Sequence, residues 1–243
     1  MRSSQTSRVM AGKRCSKKSV MVGQSPAGRP TQLGLTPEGD GTMKAVWETA
    51  APVSSAGFDL GDVKTDQLKT LEGYSVDAYA NINLPDKFMP LQKSRTMGNM
   101  STVPALKDEL EQGAAAFQVY TDYFGKLPYD HIALTQQTVC GYGESWPMVV
   151  SVPICGFWRV GIQHQLGLLD YDTSYWQEAT LHEVAHQWWG NRIGFNSYRD
   201  QWMSVGFANF SVGEYLRTES KNMDSFRAFW QQHRFFGMNP DNV

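Results

Sequence analysis

Three cysteines among 243 residues, Cys15, Cys140 and Cys155, are too few and too odd in number for a disulfide framework, and no two stand in a Cys-x-x-Cys pair that could hold zinc. Cys140 and Cys155 lie in apolar runs, which predicts buried thiols rather than a bridge. Charge of one sign is lacking too. Lys and Arg number 22 against 24 Asp and Glu, a net charge of −2, so no global basic field speaks for nucleic acid. No apolar run is long enough to cross a membrane. The first 43 residues carry Arg2, Arg8, Lys13, Arg14, Lys17, Lys18 and Arg29 before any acidic residue, with many Ser and Gly and no apolar stretch of a secretory signal. They read as a basic, disordered leader, residues 1–43, which leaves the location of the protein open.

What is present is the makeup of a folded globular protein: 41% hydrophobic, 12% aromatic, eight Trp. The length suits one large domain or one and a half smaller ones. Residues 44–49 and 74–80 alternate β-branched or aromatic with other side chains and predict strands; with Pro85, Pro90 and the polar run 93–102 they make a partial β-sheet module and linker over 44–103. Pro104 opens a helix with Leu106, Leu110, Ala114, Phe117, Tyr120 and Phe124 at helical spacing, closed by Gly125. Strands are expected over 131–139 and, after the turn at 141–145, over 146–157; 156–171 reads as loop. Buried helices are expected over about 199–218 and 224–236, the second with Phe226, Phe229, Trp230 and His233 on one face.

Between them stands Leu181-His182-Glu183-Val184-Ala185-His186-Gln187-Trp188-Trp189-Gly190. One helical turn separates His182 from His186, so two imidazoles can converge on one zinc ion, with Glu183 beside them to take a proton from water. Ser174 and Gln177 form a capping box at one end and Gly190-Asn191 a stop at the other. Apolar residues cover most of this helix, and a buried Glu183 needs a partner such as a cation.

His-Glu-Val-Ala-His-Gln-Trp-Trp-Gly-Asn (182–191) and Asp-Gln-Trp-Met-Ser-Val-Gly-Phe-Ala (200–208) together resemble the two zinc helices of gluzincin metallopeptidases of the membrane alanyl aminopeptidase (aminopeptidase N) type, the similarity running from about Lys44 to the C-terminus. The resemblance implies an α+β, thermolysin-like (gluzincin) catalytic domain over 104–243, its N-terminal half with the C-terminal part incomplete, preceded by part of a β-sheet module. It implies His182 and His186 as zinc ligands and Glu183 as general base. The family's third ligand, a glutamate nineteen positions after the second histidine, is Val205 here, and valine has no lone pair to give. Glu214 stands nine residues beyond that position, ~13–14 Å along a helix and on the opposite side. Glu178, one turn before His182, is the candidate replacement ligand. Gly141-Tyr142-Gly143-Glu144-Ser145 occupies the place of the family's Gly-x-Met-Glu-Asn strand, so that Gly141 and Glu144 would bind substrate, the carboxylate holding a free α-amine. The tyrosine that stabilises the oxyanion in the family, and its closing helical bundle, have no counterpart within the 243 residues.

The resulting expectation is a zinc-dependent hydrolase of peptide or related acyl bonds, impaired, with zinc weakly held or absent. The alternative is a catalytically inactive remnant serving as a binding or structural module. A third class, a nucleophilic esterase using Ser145 or a cysteine with His164, lacks the Gly-x-Ser-x-Gly elbow. Expected partners are a peptide or small acyl substrate and a second copy of the chain, docked through the last helices; no nucleic acid and no integral membrane segment are expected.

Overall fold

The computed structural model describes residues 57–70, 72–94, 98–168, 173–219, 221 and 223–237, together with the backbone of four strands nearer the N-terminus. Those four are β1 (Ser4–Val9), β2 (Ser19–Gly23), β3 (Thr36–Pro37) and β4 (Met43–Glu48), of which β1, β4 and β3 form a small antiparallel sheet. Three strands thus fall within the expected disordered leader. Val20-Met21-Val22 has strand character, and it adds to the open edge of β5 (Phe58–Lys69).

The main sheet has six strands in the order β2-β5-β6-β7-β9-β8, with β6 (Ser75–Asn81), β7 (His131–Gln136), β8 (Glu144–Trp146) and β9 (Val149–Val152). β6, β7 and β9 run parallel, and β8 turns back antiparallel to β9 at the sheet edge. Hydrogen bonding from β6 to β7 crosses the division expected at residue 103. A parallel pair needs a crossover, and α2 (Leu106–Phe124) supplies it.

One face of the sheet is apolar. Val76, Ala78, Ala80, Ile132, Leu134, Val150 and Val152 meet Leu110, Phe117 and Tyr120 of α2 and the helices that follow. The opposite face carries buried polar groups: Ser75, Asp77, Thr135 and Ser151. Period-two alternation in β6, β7 and β9 separates the two.

Several expected boundaries move. The strand expected over 131–139 ends at Gln136. The apolar run 146–157 is not one strand: Met148 takes φ 67°, turning β8 into β9, and α3 (Ile154–Phe157) ends the run as a helical turn. The linker holds α1 (Met89–Lys93), and the expected loop 156–171 holds α4 (Val160–Gln165). Cys140 and Cys155 form a disulfide with Cα atoms 5.2 Å apart, correcting the expectation of free thiols. The β8–β9 reversal brings the two ends of a 15-residue separation back together, which spacing alone does not reveal.

α5 (Thr173–Ala185) carries the histidine motif; its capping side chains, Ser174 and Gln177, lie outside the described residues. α6 (Trp202–Thr218) packs on α5, and α7 (Met223–Gly237) packs on α6. The apolar face of α7 is therefore not the free surface that docking a second copy would need. Phe229 is buried, and the Trp230 ring lies against Gly213, where an added Cβ would come within 2.8 Å of it. Exposed apolar side chains on and before α6 include Trp202, at 69% exposure, Tyr198, Val205 and Phe210.

Candidate metal and catalytic site

α5 ends at the motif itself. The last helical bond of the histidine pair runs from His186 N to His182 O at 3.2 Å, and the next residues tighten, with Gln187 N bonding Val184 O and Trp188 N bonding Ala185 O, each at 3.0 Å. The chain then turns at Gly190, whose φ of 106° suits glycine and whose bare Cα lets Ser204 approach. Gly190 is a stop, as expected, although the α-helix has already ended at Ala185.

The two imidazoles face each other. Their Nε2 atoms are 3.1 Å apart and their rings lie at 82°. Two nitrogens bound to one tetrahedral zinc at ~2.0–2.1 Å would stand roughly 3.3–3.4 Å apart, so the pair has close to the separation that such an ion requires. His186 is oriented from behind. Its Nδ1 lies 2.8 Å from the Trp189 carbonyl, with Ser204 Oγ at 3.2 Å from the same nitrogen and donating to the same carbonyl at 2.8 Å. A carbonyl only accepts, so Nδ1 carries the proton and Nε2 keeps its lone pair for a ligand. Burial, the neighbouring His186 and His233 push His182 down to about 3, against a hydrogen bond that the Asn209 side chain accepts from it. Burial lowers His186 as well. Both rings are therefore neutral at physiological pH, the state in which imidazole binds metal.

Glu183 is 5% exposed, and burial, reinforced by the charge of Glu144, raises its carboxyl to about 8. Gly143 explains how it fits. A Cβ on that glycine would lie 2.3 Å from Glu183 Oε1, so any side chain there would collide with the carboxylate unless it moved. Glu144 lines an open cleft with Asp59, Tyr79, Thr135 and Trp146, and is near enough to Glu183 for its charge to act there. Gly141 is exposed at the start of the same turn.

Glu178 sits half-buried on α5, raised by burial to about 8, with no hydrogen-bond partner for Oε2 among the described residues. Its carboxyl is near enough to Tyr120 of α2 to help raise that phenol. Among the described residues no group of three His, Cys, Asp or Glu is arranged to hold a metal ion, so Glu178 is not gathered with the histidines in this structure. Val205 stands on the first turn of α6 and is 47% exposed. The spacing of the two histidines thus fits zinc, and among the described residues no carboxylate or thiol is gathered with them.

Sequence reasoning missed Asn209 and His233, on α6 and α7, which both act on His182; nothing in their local pattern announces that tertiary contact. The esterase alternative finds no support. Ser145 Oγ is bonded to Gln187 and Asn191, His164 stands exposed on α4, and Cys140 and Cys155 are tied to each other.

Residues 109–243 match the family model described as the peptidase family M1 domain. Relatives include "Probable aminopeptidase 2" of Sulfurisphaera tokodaii, 25% identical over 142 residues that make 54% of this chain and 17% of that protein. "Aminopeptidase N" of Lactococcus lactis is 23% identical over 82% of this chain and 21% of its own length. The chain therefore spans only 17% and 21% of the length of these two curated relatives. Among solved structures, the M1 zinc metallopeptidase from Deinococcus radiodurans superposes with a TM-score of 0.59 at 15% identity, covering 92% of this chain and 43% of that one. A variant of the same protein bound to a Tyr-ser-ala substrate gives 0.58 at 16%, over 89% and 42%. The mixed α/β architecture is thus shared with M1 metallopeptidase domains.

Proposed function

The chain belongs to peptidase family M1, and from that premise we propose that it forms the metal-binding part of a peptide-bond hydrolase, with His182 and His186 as zinc ligands and Glu183 as general base. The observation that carries this reading is the meeting of the two Nε2 atoms at 3.1 Å with His186 held from behind by a carbonyl. Bound zinc would supply Lewis acidity, polarising the scissile carbonyl and acidifying water. Glu183 would accept a proton from the attacking water and return it to the leaving amine. Its carboxyl, raised to about 8 by burial and Glu144, falls back toward an ordinary carboxylate beside a cation, because an opposite charge favours the ionised form. Glu144 and Gly141 would receive the substrate's amino end from the cleft side of β8. Relatives named aminopeptidases, and the Tyr-ser-ala complex of the Deinococcus variant, favour a peptide with a free α-amine.

At the finer level the fold would be the thermolysin-like (gluzincin) one. Val205 makes the site a weak one. With two protein ligands zinc would be held loosely, and Glu178 would complete the set only by leaving its place beside Tyr120. The same valine supports a second reading, a catalytically silent member that keeps the fold as a binding or structural module. Zinc content after dialysis against sub-micromolar zinc, with release of p-nitroaniline from an alanine anilide, tests both. Bound zinc with hydrolysis that disappears in Glu183→Gln supports the hydrolase. A folded chain that takes up no zinc and cleaves nothing leaves the second reading.

A further inference from the structure

We propose that Gln187 is a positioning residue that fixes the edge strand β8 at its distance from α5, and so sets the room beside Glu183 and the placement of Glu144. Gln187 follows His186 directly, is 0% exposed, and has all its hydrogen-bonding capacity in use. Its Nε2 donates to Ser145 Oγ at 2.6 Å and to the Trp146 carbonyl at 2.9 Å, while its Oε1 accepts from Tyr129 Oη at 2.8 Å and from Met148 N at 2.9 Å. Every bond of the side chain except the one to Tyr129 ends on the segment 145–148, where β8 reverses into β9. Asn191, four residues on, donates to Ser145 O at 3.3 Å and to Ser145 Oγ at 3.2 Å.

The placement matters because, among the described residues, β8 has a strand on one side only, β9, so the sheet does not fix its height above α5. Two residues before the clamp, Gly143 touches Glu183 so closely that a Cβ would stand 2.3 Å from Oε1. A small outward drift of β8 would open that contact and carry Glu144 with it. One turn of backbone, residues 186–187, therefore carries both a histidine of the pair and the side chain that holds the strand opposite. A buried amide with four partners behaves as a unit: removing it leaves the Trp146 carbonyl, the Met148 amide and the Tyr129 hydroxyl without their partner together.

The kinetic part of this inference rests on the proposed hydrolase; the structural part does not. Hydrogen exchange of the full chain tests the latter, using wild type, Gln187→Leu, and the milder Ser145→Ala and Asn191→Ala, each of which removes only part of the bonding to the β8 turn. Exchange at the Met148 amide and across 143–146 should quicken by roughly tenfold or more in Gln187→Leu, less in the other two, while α2 amides keep their rates. Where the leucine variant does not fold, the other two carry the comparison. Zinc content should stay at the wild-type level, and on an aminoacyl anilide KM should rise by about tenfold while kcat changes by less than about threefold. Unchanged exchange over 143–148 in a folded variant overturns the inference, and so does a rise spread evenly over the sheet and helices. Should wild type prove inactive, the proposed function falls while the exchange arm still decides the role of Gln187.

Discussion

Replacing Glu109 by Gln should turn a pH-dependent stability into a flatter one. Glu109 of α2 is 7% exposed and accepts a 2.5 Å hydrogen bond from Thr180 Oγ1 on α5, so it ties the crossover helix to the helix that carries the histidines. Burial raises its carboxyl from 4.5 to about 7; the bond from Thr180 opposes the shift and Asp108 adds to it. A carboxyl whose folded value is raised holds its proton more tightly in the native chain than in the unfolded one. Its contribution is therefore fully present below the unfolded value of 4.5 and is lost as pH climbs through the folded value near 7. The difference corresponds to about 3 kcal/mol, or roughly 6–12 °C in Tm for a chain of this length. Glutamine has no proton to lose and can still accept from Thr180. Urea unfolding of metal-free wild type and Glu109→Gln, followed by Trp fluorescence from pH 4.5 to 8, gives the difference directly. The two should approach each other at the acid end and diverge above pH 7, with the variant more stable there. Glu178 and Glu183, both raised to about 8, add slopes of the same sign to both proteins, so the comparison is between variants. Parallel curves across the range would refute the reasoning.

Glu183→Gln keeps the shape of the site and removes the base, so hydrolysis should fall by about 10²–10⁴-fold while zinc binding persists; activity that survives the change would place the chemistry elsewhere. Val205→Glu should tighten zinc against a competing chelator, and unchanged affinity would mean that this position on α6 does not face the histidines. Cys140→Ser with Cys155→Ser opens a loop of sequence separation 15, for which a loss of roughly 3 kcal/mol in unfolding free energy is expected; the same loss should follow from reductant alone.

The sequence was most legible where a side chain's role is set by near neighbours on the chain. The helical spacing of α2, the β6 alternation and the one-turn offset of His182 and His186 all reach the structure as read, because each depends on a period intrinsic to helix or strand. Failures cluster where the chain reverses. The run 146–157 is apolar throughout, yet Met148 takes a positive φ and Ile154 begins a helix, and composition cannot distinguish a buried strand from a buried turn of helix. The disulfide was missed for the same reason, since only that reversal brings Cys140 to Cys155. Docking through the last helices is what the sequence suggests because the partner of the α7 apolar face, the small Gly213 on α6, is visible only once both helices are placed.

The candidate site divides along the same line. Its chemistry, two imidazoles and a carboxylate, is written in five consecutive residues; what orients that chemistry is scattered from Tyr129 to Asn209. That division bears on the valine at position 205. The groups that orient the pair, the Trp189 carbonyl and Ser204 behind His186 and Asn209 beside His182, come from α6 and from the turn leading to it, and none of them needs a carboxylate at 205. The approach of the two imidazoles is therefore independent of which side chain stands at 205. Substituting Ser204 by Ala should accordingly act on the geometry of His186 alone, leaving Trp189 as its acceptor. Removing the carbonyl's competitor in this way tests whether the pair is held by the backbone. If the Ser204→Ala chain binds zinc as wild type does, the backbone carbonyl suffices; if zinc is lost while the fold persists, the hydroxyl is part of the hold and the argument from the carbonyl fails.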